Sequence, residues 1–154
     1  MPDHAREVRL RVRYAETDQM GFAYYGAYAA WLEVGRVEFL RERGLSYREV
    51  EAAGQLLAVR ELHLDYLAPA RYDDLLSIRT RVAERTKSRV AFQSEILLVV
   101  GDRLPAVAAR HAVPLLRPPK TGLLARGRVV LVCLDRSGRP QRLSDELVKA
   151  CAAS

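Results

Sequence analysis

The chain has 154 residues, the size of one ordinary domain and enough to bury a core. Hydrophobic residues make up 49% and charged residues 29%, a balance that excludes a disordered or low-complexity chain. The net charge of +6 rests almost wholly on arginine, 22 residues against 3 lysines, scattered rather than gathered in a tract, so no nucleic-acid partner is expected.

The densest apolar run, Ile96-Leu97-Leu98-Val99-Val100, falls far short of the roughly 18 residues a membrane span needs. Met1 to Glu7 has no apolar stretch of the kind a secretory signal carries. Cys133 and Cys151 make neither a disulfide framework nor a metal-ligand spacing. The expectation is a cytoplasmic protein with reduced thiols.

Val8, Leu10, Val12 and Tyr14 alternate with Arg9, Arg11 and Arg13, which predicts a half-buried strand over 8–14. A loop, 15–24, follows. From about Gly26 to Arg43 the period becomes helical, with Tyr28, Trp31, Leu32, Gly35 and Phe39 on one face and Ala30, Val37 and Leu40 widening it. Trp31 and Tyr28 read as core. Gly44 is a left-handed helix stop, and a short helix is expected over 46–53.

The remainder is mostly strand. Leu56, Ala58, Leu62, Leu64 and Tyr66 alternate with Val59, Glu61, His63 and Asp65. Leu76 to Val82 makes a third strand and Val90 to Leu98 a fourth, joined by the turn Arg85-Thr86-Lys87-Ser88. The proline-rich segment Gly101 to Thr121 reads as an extended connection with a short strand near Ala108 to Leu115. A last strand spans 123–134, and Ser144 caps a short helix ending near Cys151. Short connections between successive strands imply one antiparallel sheet, with the long helix buried against it. Its open edge invites pairing with a second copy.

The loop before the long helix carries the chemistry. Asp18 stands there, and the helix opening around Tyr25 and Gly26 presents unpaired N–H groups and a partial positive charge. A carboxylate beside an oxyanion-binding helix end supplies the two parts that acyl transfer needs. On composition alone, an Asp in a loop is most often a turn or cap residue. Glu33 is a candidate interface or supporting carboxylate, with a salt-bridged helix residue as the plainer reading. His63, far in sequence from His4 and His111, gives no metal site.

The string Arg13-Tyr14-Ala15-Glu16-Thr17-Asp18-Gln19-Met20-Gly21, followed by Tyr24-Tyr25-Gly26-Ala27-Tyr28 and Trp31-Leu32-Glu33, resembles the hotdog-fold thioesterases. The branch it resembles is the 4-hydroxybenzoyl-CoA thioesterase-like one, which includes short acyl-CoA thioesterases. Tyr66 to Asp74, Ala125-Arg126-Gly127, Cys133 to Arg136 and Gly138-Arg139-Pro140 extend the likeness in the same order. The resemblance implies an α+β hotdog fold, in which about five antiparallel strands wrap one long helix, over a single domain, 1–154. It implies hydrolysis of an acyl-CoA, with Asp18 as nucleophile or general base and a backbone N–H at Tyr25 or Gly26 as oxyanion donor. It also implies a site built across a dimer interface, a dimer or a tetramer made of dimers, and CoA phosphates held by Arg85, Lys87 and Arg89, for which a solvated hairpin turn is the equal alternative. No cofactor is implied, since CoA arrives as part of the substrate.

Two positions depart from the family's pattern. Tyr25 stands where many relatives have His, and Ala27 where nearly all have Asn. The lost Asn favours, as the alternative, a module that binds an acyl-CoA or acyl carrier protein without cleaving it. A hotdog dehydratase would need a catalytic His, and none lies in the loop or helix.

Overall fold

The computed structural model describes residues 5–99 and 122–152. The whole proline-rich segment 101–121, including its expected short strand, lies outside the described residues, as do His4 and His111. The elements are β1 (Arg6–Arg11), a 3-10 turn (Tyr14–Glu16), α1 (Ala27–Arg41), α2 (Tyr47–Ala52), β2 (Leu56–Tyr66), β3 (Leu75–Arg85), β4 (Arg89–Leu98), β5 (Leu123–Leu134) and α3 (Asp145–Ala150). The strands form one sheet in the order β1-β3-β4-β5-β2, and every neighbouring pair is antiparallel. This is the hotdog arrangement: a sheet curled around α1. No helix among the described residues is long and apolar enough to cross a membrane.

Helix α1 buries Tyr28, Trp31, Leu32, Gly35, Phe39 and Leu40, the face that the helical period marks out. Burying side chains of this size contributes about 1.5–3 kcal/mol each. Two glycines set how close the helix comes. A Cβ on Gly35 would lie 2.5 Å from Thr80 Oγ1 and 2.9 Å from Ile78 Cγ2, so the bare glycine lets α1 sit on β3. Beneath it, Thr80 and Ser94 satisfy each other's buried hydroxyls at 2.8 Å. On β5, Gly127 leaves room for Leu32, whose Cδ1 would meet a Cβ there at 2.4 Å.

The helix stops where expected. Gly44 takes φ +79°, and the Leu45 N–H returns to the Leu40 carbonyl at 3.1 Å. Ser46 and Glu49 then form a capping box that opens α2. Ser144 caps α3.

Two strands differ from their sequence patterns. β1 ends at Arg11 because the Val12 N–H and C=O leave the ladder for Asp74 and Asp73, each at 3.0 Å. Tyr14 therefore lies in the 3-10 turn, exposed and edge-on to Tyr72, rather than on the strand's apolar face.

In β2 the alternation expected from Leu56 to Tyr66 does not hold through the strand. The register against β5 shifts between Val59 and Glu61, a bulge at Arg60. Before it the buried side chain is Leu57, not Leu56; after it, Leu64 packs against the core. An extra residue reverses the parity, so odd positions face α1 in the first half and even ones in the second. Val59 and Leu62, on either side of the bulge, accordingly line one groove beside Ala29, Ala30 and Glu33 of α1. Ala30 is thus exposed at this groove rather than part of the core.

Candidate active site

Residues 17–23 fold into a tight hairpin at the mouth of the sheet. Thr17 and Ala23 form an isolated bridge, the Asp18 N–H donates to the Phe22 carbonyl at 2.9 Å, and the Gly21 N–H donates to the Asp18 carbonyl at 3.0 Å. Gly21 takes φ +79°, which a side chain would disfavour. The Asp18 carboxylate accepts the Met20 N–H at 2.9 Å.

Two ties fix this hairpin to the frame. The Ala23 N–H donates to Ala70 at 2.8 Å, and the Tyr24 N–H donates to Glu16 at 2.7 Å. Glu16 is itself anchored: its carboxylate accepts the Trp31 indole N–H at 3.0 Å and the Arg13 guanidinium at 2.7 Å. Burial alone would raise the Glu16 pKa, but the Arg13 side chain and backbone, with Trp31, outweigh it and hold the carboxyl below its ordinary range.

Helix α1 starts directly after. The Ala27 N–H donates to Tyr24 and the Ala29 N–H to Gly26. Among the described residues, the N–H groups of Tyr25 and Gly26 have no acceptor. They carry the positive end of a 15-residue helix. A Cβ on Gly26 would lie 2.5 Å from Cε1 of the exposed Tyr24 ring, which would have to turn aside for it.

Asp18 and Tyr25 line one cavity of about 230 Å³, together with Met20, Phe22, Tyr28, Tyr66 and the Leu67–Pro69 turn. The sequence-predicted carboxylate and helix start therefore meet. The walls are mainly aromatic and aliphatic. Tyr28 is buried and accepts the Ala70 N–H at 3.0 Å, while the Tyr66 ring packs edge-on against it at 5.0 Å. The Tyr66 hydroxyl donates to the Tyr25 carbonyl at 3.0 Å. Sequence reasoning placed Tyr66 on the strand face shared with Leu62 and Leu64 and at the head of a stretch that extends the family likeness, but did not name it as a site residue; its contact with Tyr25 is a tertiary one. Ala27 is buried and does not line the cavity.

The basic residues lie elsewhere. β3 leaves the Ala70–Asp74 turn beside the hairpin, and Arg85 closes its far end, roughly 30 Å away at strand rise. Arg85 and Lys87 line an open cavity of about 700 Å³ with Arg142 and Asp145. Arg142 was not singled out from the sequence; the Leu143 N–H donates to the Lys87 carbonyl at 2.9 Å and brings it there. Arg89 lines a different groove, with Glu61, Glu84 and Arg128. Within one chain, then, the three predicted cations do not converge and do not reach Asp18.

Glu33 is exposed and paired to Arg36 at 3.3 Å, which supports its plainer reading. His63 is also exposed, 3.1 Å from Asp65. Among the described residues, no three of His, Cys, Asp and Glu cluster.

Comparison with known proteins gives this geometry a context. The family model described as Thioesterase superfamily matches residues 20–104, a span that begins just past Asp18. A putative acyl-CoA thioesterase of Bacillus subtilis is 30% identical over 108 residues, covering 70% of this chain and 78% of that one. A hypothetical protein from Thermus thermophilus is 34% identical in its crystal structure, with a TM-score of 0.75 over 94% of this chain and 95% of that one. The DHNA-CoA thioesterase of Staphylococcus aureus is 27% identical, with a TM-score of 0.74 over 90% and 80% of the two chains.

Proposed function

Because the chain belongs to the thioesterase superfamily, we propose that it hydrolyses an acyl-CoA with Asp18 as the reacting carboxylate and the start of α1 as the oxyanion site. One observation carries the reading: Asp18 and Tyr25 line the same small cavity, and the N–H groups of Tyr25 and Gly26 are unengaged among the described residues.

Two routes are open to Asp18. As general base, it takes a proton from water while the water oxygen attacks the thioester carbonyl. The tetrahedral oxyanion that forms is held by the helix-start N–H, and collapse expels the CoA thiolate, which is protonated to the thiol. As nucleophile, its oxygen attacks the carbonyl directly, the thiolate leaves, and water cleaves the resulting anhydride. Both routes end in the free acid and CoA.

The nucleotide end of CoA needs cations, and Arg85, Lys87 and Arg142 supply an unpaired set among the described residues. Their distance from Asp18 supports a site completed by a second copy, docked along the open β2 edge with Val59 and Leu62 exposed beside it. The working form is thus an oligomer of a single-domain chain, a dimer or a pair of dimers. The reduced, buried Cys133 and Cys151 support a cytoplasmic setting.

The experiment is thiol release from a panel of acyl-CoAs, aliphatic to aromatic, by wild type and Asp18→Ala. Hydrolysis lost in the variant supports the reading. Binding without turnover in the wild type would favour a non-catalytic acyl-CoA or acyl carrier protein module, which the apolar Ala27 makes the second reading.

A further inference from the structure

We propose that Glu16 is a positioning residue: it sets the Asp18 carboxylate in register with α1 by clamping the hairpin limb that carries Asp18 to the buried Trp31 indole. The inference rests on the thioesterase reading above and deepens it.

Only Thr17 separates Glu16 from Asp18, and it is extended, at φ −105° and ψ 155°. On either side of it this limb is locked to its return. The Tyr24 N–H donates to the Glu16 carbonyl at 2.7 Å, and the Asp18 N–H donates to the Phe22 carbonyl at 2.9 Å. Thr17 itself is bridged to Ala23 between them. A displacement at Glu16 is therefore passed along a short paired ribbon to Asp18.

The two limbs have different anchors. The returning limb is held by the Ala23 N–H on the Ala70 carbonyl. The limb with Asp18 is held by Glu16, whose carboxylate accepts the Trp31 indole N–H at 3.0 Å. Among the described residues, no other hydrogen bond joins 14–18 to α1.

Both ends of the clamp are fixed. Trp31 is buried, and its ring lies 4.7 Å from that of Tyr28, which the Ala70 N–H pins in the wall of the Asp18 cavity. Arg13 orients the carboxylate, reaching Oε1 through its guanidinium at 2.7 Å and Oε2 through its backbone N–H at 2.8 Å. Glu16 does not line the cavity. Its action passes through Asp18.

Three variants separate positioning from plain stabilisation. Misplacing a reacting group by about 1 Å costs roughly 10² in rate, so Glu16→Met, which removes both acceptor oxygens, is expected to lower kcat about ten- to a hundred-fold with KM within about two-fold. Trp31→Phe removes the donor and keeps the Arg13 pair; it is expected to match that loss, and it decides the matter if Glu16→Met does not fold. Glu16→Gln gives up the charge facing Arg13, and stability with it, but its amide oxygen still accepts from Trp31. Its kcat is therefore expected within about three-fold of wild type. Independently of activity, the 1H resonance of the single indole N–H is expected to move upfield in Glu16→Met and to stay near its wild-type place in Glu16→Gln.

Unchanged kcat in Glu16→Met and Trp31→Phe, or a kcat in Glu16→Gln that falls as far as theirs, would make Glu16 a stabilising residue only and overturn the proposal. An indole resonance unmoved in Glu16→Met would overturn it whether or not the protein is active. A wild type that hydrolyses no thioester, with the resonance moving as expected, would overturn the catalytic role through the thioesterase reading and leave the clamp standing.

Discussion

The Asp18 carboxylate holds the Met20 N–H through Oδ1 at 2.9 Å, and its second oxygen has no partner among the described residues. One oxygen shapes the loop while the other is available to a water or a carbonyl. Asp18→Asn keeps an acceptor for Met20 but removes the base and the nucleophile. We expect it to fold as wild type and to lose roughly 10²–10⁴ in kcat. Steady-state thiol release beside a thermal melt checks both halves.

Gly35 is the closest approach of α1 to the sheet. Gly35→Ala would press a methyl into Thr80 and Ile78 and disturb the Thr80–Ser94 hydroxyl pair. A loss of about 1–3 kcal/mol is expected from such overpacking, measured as a lower urea midpoint with an unchanged slope.

These two residues show what the sequence could and could not disclose. The face containing Gly35 was readable because helical periodicity reports burial directly. Asp18 was readable only through its string of neighbours, since its loop position alone suits any turn. Tyr66 was not readable as a site residue. The alternation put it on the face it shares with Leu62 and Leu64, but its contact with Tyr25 is made across the fold and no local pattern marks it. The basic cluster was half readable: Arg85 and Lys87 share a turn, whereas Arg142 joins them only through tertiary pairing.

Glu16 ties the hairpin to Trp31, and its pKa is depressed in the fold. A depressed carboxyl stabilises the protein above its unfolded pKa, near 4.5, and that contribution fades as pH falls through the lower folded value. Glu16→Gln is therefore expected to be less stable than wild type at pH 7, by roughly 1–2 kcal/mol. The gap should narrow once the pH drops below about 4.5. Fluorescence of the single tryptophan, Trp31, follows both titrations.

Charge reversal at the far end of the sheet separates the two halves of the substrate. Lys87→Glu with Arg142→Glu is expected to raise KM for acyl-CoA at least ten-fold and to flatten its dependence on salt. The same acyl group on pantetheine, which lacks the nucleotide phosphates, should be hydrolysed as by wild type. Equal effects on both substrates would remove the cluster from CoA recognition.

Cys151 is buried, and desolvation pushes its thiol up to about 11, with Arg85 and Arg43 only partly countering it. Burial raises Cys133 as well. Neither thiol should react with Ellman's reagent at pH 8 until the protein is unfolded. A burst of native reactivity would contradict the packing of α3.

The bulge at Arg60 has a consequence for how this chain tolerates change. Beyond it, each side chain of β2 owes its direction to the length of the strand rather than to its own identity. Arg60 has no partner on β5, so its deletion would remove the bulge and leave Glu61 opposite Val130 and Tyr66 opposite Ala125, each side chain on the face it now holds. The edge strand thus carries one residue of slack at Arg60, whereas a residue inserted between Glu61 and Tyr66 would turn Tyr66 away from Tyr28 and act as an active-site mutation.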